Sequence, residues 1–110
     1  MLSGNSTEVS DTVEEVGALI TIYGPATLPI IALNDYSMEY DTAILEGARV
    51  EIDTAKSTAT HINSDGVKTN VMRHYNHQFP KIQPGENTLK VLSGVDDENN
   101  VTVKWNDLKL

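Results

Sequence analysis

A period of two in the apolar pattern does most to narrow what this chain can fold into. In "VTVKW" it sets Val101, Val103 and Trp105 on one face, and Thr102 and Lys104 on the other. In "YSMEYDTAIL", Tyr36, Met38, Tyr40, Thr42 and Ile44 alternate with Ser37, Glu39, Asp41 and Ala43. In "RVEIDT", Val50 and Ile52 oppose Arg49, Glu51 and Asp53, and in "NTLKVL" Leu89 and Val91 share a face. Successive side chains of a strand point to opposite sides, so each stretch predicts a strand with one face in a core. "ALITIYG" and "LPIIAL" are more densely apolar and are split by the breaker pair Gly24-Pro25. No segment sustains a helical period. Eight or nine short strands with frequent turns predict an all-β chain, an antiparallel sandwich or barrel. The 110 residues supply one modest core.

The punctuation between strands is equally informative. Glu46-Gly47 marks a turn, and Asp65-Gly66 reads as a type I′ or G1-bulge turn. "DDENN" reads as a hairpin tip, and residues 68–77 as a loop or short helical turn. The most heavily marked corner is "FPKIQPGENTLKV". Phe79, Pro80 and Ile82 bring the chain in and anchor it. Pro84 and Gly85 turn it, with Gly85 at the positive-φ position of a type II turn. Asn87 ties the turn to its own backbone, and Leu89 and Val91 return to the core. The expected core strand residues are Val50, Ile52, Leu89, Val91, Val101, Val103 and Trp105. Residues 1–15, "MLSGNSTEVSDTVEE", are polar and acidic and read as a flexible arm or linker ahead of a sandwich over residues 16–110.

Several function classes find no support. The net charge of -8 argues against nucleic acid as a partner, since phosphate binding needs clustered Lys and Arg. With no cysteine there is neither a disulfide framework nor a thiolate site. The N-terminus has no signal-peptide pattern, and "LPIIAL" is too short to cross a membrane. His61, His74 and His77 are the candidate metal ligands. On a strand, residues three apart point to opposite faces, which favours polar loop residues over a zinc site. Glu51 and Asp53 read as exposed-face charges and not as a hydrolytic pair, because the sugar-stacking aromatics are missing. "VDDENN" has no glycine inside its acidic run and does not match a calcium loop. No nucleophile elbow or phosphate-cradling loop is present. The expectation is a protein without cofactor, metal or catalytic site.

Read together, three segments resemble the C-terminal domain of siphophage distal tail proteins. "LEGARVEIDTAKSTATHINSDG" carries Gly47, Val50, Ile52, Asp53 and Thr54, then the strand from Ile62 to the turn at Gly66. "HQFPKIQPGENTLKV" carries the corner of Phe79, Ile82, Pro84, Gly85, Asn87 and Leu89. "NNVTVKWNDLKL" closes with Val101, Val103, Trp105 and Leu110. "ITIYGPATLPII" resembles the family's first strand, so the likeness covers about residues 17–110. Members of the family usually carry an N-terminal domain of comparable size as well. The resemblance implies a galectin-like, jelly-roll-like β-sandwich. It implies a structural protein of the virion tail tip or baseplate, assembled in the host cytoplasm and acting through other tail proteins. It also implies a homo-oligomeric ring, typically a hexamer. The expected contact surfaces are the acidic arm, the 68–77 loop and the "DDENN" tip. The alternative is a carbohydrate-binding module, which needs Tyr36, Tyr40, Tyr75 or Trp105 exposed beside polar acceptors.

Overall fold

A computed structural model describes residues 1–109; Leu110, expected to close the last motif, lies outside them. Ten strands run in chain order: β1 Leu2–Ser3, β2 Ser6–Ser10, β3 Leu19–Tyr23, β4 Ala26–Leu33, β5 Tyr36–Glu39, β6 Arg49–Asp53, β7 Thr58–Ile62, β8 Lys68–Asn70, β9 Gly85–Val95 and β10 Val101–Lys104. They form a six-stranded sheet of order β1-β10-β3-β6-β7-β8 and a four-stranded sheet of order β2-β9-β4-β5. Every pairing between strands is antiparallel. The two sheets pack as a sandwich, as the alternation predicts. Two single-turn 3-10 helices, Met72–His74 and Glu98–Asn100, are the helical elements among the described residues.

The period-two pattern explains the core directly. Ile20, Ile22, Val50, Ile52, Val101 and Val103 line the inner face of the larger sheet, each at most 1% exposed. Register aligns them: Val103 faces Ile20, which faces Ile52, and Val101 faces Ile22, which faces Val50. Ile31, Leu33, Met38 and Leu89 answer from the smaller sheet and are equally buried. Full burial of each such side chain contributes about 1.5–3 kcal/mol before the entropy of ordering is subtracted. Val91 and Trp105 pack against this core only in part. The alternation in "YSMEYDTAIL" holds for Met38, Tyr40 and Ile44, all buried, but β5 stops at Glu39 and Tyr36 is exposed at its start.

Three expectations need correction. The first 15 residues are not a flexible arm. β1 pairs with β10 and β2 with β9, so this segment supplies one edge to each sheet. Leu2 is 1% exposed, and Gly4, at φ 64, lets the chain swing from one sheet to the other. "DDENN" is not a hairpin tip, because β9 and β10 belong to different sheets; it carries the chain across the sandwich. Asp97 caps the 3-10 turn there, its side chain accepting from the Asn99 N–H at 3.0 Å. His61 is a strand residue of β7, not a loop residue.

Strand directions sort the loops into two ends. Residues 4–5, 24–25, 40–48, 63–67 and 96–100 meet at one end, called the upper end below. Residues 11–18, 34–35, 54–57 and 105–109 lie at the other.

Candidate interaction surfaces

The corner is a hydrogen-bonded joint. Ile82 is fully buried and bridges Val16 through both backbone bonds, at 3.0 and 2.9 Å. Pro80 is buried, and half-buried Phe79 lies against Tyr75 with ring centroids 5.4 Å apart. Pro84 is exposed, and Gly85 has φ 87. Asn87 is 0% exposed. Its Oδ1 accepts from the Gln83 N–H at 2.8 Å and from Asn34 Nδ2 at 3.1 Å. Its Nδ2 donates to the carbonyls of Gln83 and Gly85, at 2.9 and 3.1 Å. All four hydrogen-bonding positions of the amide are used, as a buried amide requires. Asn34 was not singled out in the sequence. It repeats the device from the neighbouring hairpin, its Oδ1 accepting from the Thr88 N–H at 3.0 Å.

The titratable candidates do not converge. His74 Nδ1 sits 2.9 Å from Asp41 Oδ1, while His77 Nε2 meets the Met72 carbonyl at 3.0 Å. No group of three potential ligands comes together among the described residues. Glu51 bonds Arg49 at 3.1 Å on the outer face, and Asp53 caps its own turn by accepting from Ala55 and Lys56 N–H groups. Asp107 joins the chain ends: Ser10 Oγ donates to its carboxylate at 2.5 Å and Trp105 Nε1 at 2.8 Å. The Ser10 hydroxyl first, then the Trp105 indole, hold its carboxyl below the ordinary value. The rings needed for a sugar platform are dispersed. Tyr40 and Tyr75 are 3% and 4% exposed, Trp105 is half-buried beside Asp107, and Tyr36 alone projects. Burial pushes the Tyr75 phenol up, and its hydroxyl donates to the Gln78 carbonyl.

Sheet edges are the remaining places where unsatisfied chemistry gathers. A strand residue points its N–H and C=O to one side, and neighbours alternate. β5 is covered: the Asn76 N–H bonds the Glu39 carbonyl at 3.1 Å, the Asp41 N–H bonds the His74 carbonyl at 2.9 Å, and Asn76 Nδ2 reaches the Ser37 carbonyl at 3.0 Å. β2 is open. Thr88 is turned to Asn34, so Asn87 and Leu89 face β2 at Glu8 and Ser6, leaving the backbones of Thr7 and Val9 directed outward. β8 is open in the same way. Val67 and Val71 bond Asn63 and Ala59, at 3.1 and 3.0 Å, so Lys68 and Asn70 face away from β7. β1 and β2 lie on one flank of the sandwich, β5 and β8 on the other.

A family model described as siphovirus-type tail component, C-terminal domain, matches residues 18–107. No curated protein and no solved structure matches.

Proposed function

The chain belongs to the siphovirus-type tail component family, and on that premise we propose that it works at the tail tip or baseplate, joining tail parts during assembly and host attachment. The match over residues 18–107 carries this reading. A rigid sandwich with covered core, no assembled ligand triad among the described residues and two open strand edges suits a part that acts by contact and not by catalysis.

The edges favour a ring of copies. An open edge is a template for another strand. β2 and β8 lie on opposite flanks, so pairing β2 of one copy with β8 of the next is a heterologous contact, the kind that closes into rings.

Disruption of the gene in the phage or prophage that encodes the chain tests the function. Electron microscopy is expected to find tails lacking an organised tip, with adsorption restored by supplying the chain in trans. Normal tails with normal adsorption would contradict the proposal.

A further inference from the structure

The upper end exposes apolar side chains by construction. Between the pairs Ala26↔Val95 and Ile30↔Ser93, three residues of β4 stand against one of β9. Between Ile30↔Ser93 and Ile31↔Val91, Leu92 is the extra residue of β9. These adjacent bulges carry Leu28 and Leu92, 53% and 55% exposed. Leu28 has φ 48, a left-handed conformation that costs a bulky residue roughly 1–3 kcal/mol. Gly94 makes the bulge possible, since a Cβ there would lie 2.3 Å from the Thr27 carbonyl oxygen. Leu45 is 73% exposed on a turn closed by the Ala48 N–H at 3.0 Å and pinned to β4 through the Ala26↔Ile44 bridge. Tyr23, also exposed, ends β3 beside the same turn, where the Gly24 N–H bonds the Ala48 carbonyl at 2.9 Å.

A strained leucine turned toward water is unfavourable for the isolated domain twice over, in backbone energy and in hydration. Burial against a partner reverses the second term, and rigid presentation lowers the entropy lost on docking. Bulges are devices that re-aim side chains at functional surfaces. The charge around these residues selects the partner. Asp41, Glu46, Asp65, Asp96, Asp97 and Glu98 are all exposed on the loops of this end, and those loops contain no lysine or arginine; Arg49, paired with Glu51, and Lys68, at the far flank, border them. A second copy set end to end would oppose two such acidic rims, which like-charge repulsion disfavours.

We propose that the upper end docks onto another protein of the particle, whose surface presents apolar side chains ringed by lysine and arginine, with Leu28, Leu45 and Leu92 as the buried anchors. The proposal rests on the tail reading above. Benzoylphenylalanine placed at position 45 of the full chain, or at position 56 on the opposite end, reports the contact when assembled particles are irradiated and the cross-linked peptides are sequenced by mass spectrometry. Position 45 is expected to join one other particle protein at a Lys/Arg-rich segment, and position 56 is not. The variants Leu45→Ser with Leu92→Ser, and Glu46→Lys with Asp96→Lys, are expected to keep the melting temperature and to lower incorporation into particles roughly tenfold. A cross-link from position 45 to another copy of this chain, no cross-link there from a chain that is present in particles, or wild-type incorporation of both variants would overturn the docking end alone. Absence of the unmodified chain from particles would overturn the tail reading and this inference with it.

Discussion

At the residue scale, Asn87 and two glycines carry the sharpest expectations. Replacing Asn87, itself fully buried, with Leu leaves the Gln83 N–H and two carbonyls of a part-buried corner without their partner. The expected loss is about 2–3 kcal/mol, seen as a melting temperature lower by roughly 10–20 °C. Gly85 and Gly94 have similar φ values, 87 and 81, but different surroundings. A Cβ on Gly85 meets nothing within 4 Å, whereas one on Gly94 collides with the Thr27 and Leu28 carbonyl oxygens, at 2.3 and 2.8 Å. Gly85→Ala is therefore expected to cost only its backbone strain, about 1–2 kcal/mol. Gly94→Ala is expected to cost clearly more in the same denaturation experiment; equal losses would contradict the bulge geometry. Asp107 sets an acid limit. Its folded value is depressed, so its stabilising contribution is complete above the ordinary value of 3.8 and is lost as pH falls through the lower folded value. Asp107→Asn should be less stable than the parent at neutral pH, and the gap should narrow below about pH 4.

At the scale of elements, the two N-terminal strands separate what the sequence discloses from what it hides. Leu2→Ala should cost about 2–4 kcal/mol, because the side chain is fully buried on β1; a loss within error would restore the flexible-arm picture. The central strands were legible because two buried neighbours impose strict alternation, as in Ile20, Ile22, Val50 and Ile52. The corner was legible because Pro84-Gly85 and Asn87 have few uses other than a turn. β2 was not, because an edge strand with one half-buried face tolerates "STEVS", which reads as linker. The path of "DDENN" was hidden for another reason: local turn chemistry is the same whether the chain returns to its own sheet or crosses to the other. The bulges at Leu28 and Leu92 left a single local mark, Gly94 inside β9, which does not say which residues of β4 it displaces; only register between the strands does. The open edges of β2 and β8 likewise depend on which residues face which neighbour.

At the scale of the whole molecule, edges and ends divide the labour. On the proposed reading, the flanks serve strand pairing between copies, and the acidic upper end presents apolar anchors to a different protein. Light scattering of the purified chain is expected to give a discrete ring, and Thr7→Pro together with Val9→Pro on the open side of β2 should reduce it to monomer without unfolding it, since neither N–H bonds β9. A monomer from the parent chain would leave ring closure to other tail proteins. The most direct measurement is immunogold labelling of this chain on purified particles, with its peptides identified by mass spectrometry in tails freed of heads. Label confined to the distal end of the tail is the predicted result; label on heads, or no peptides in the tails, would contradict a tail-tip role.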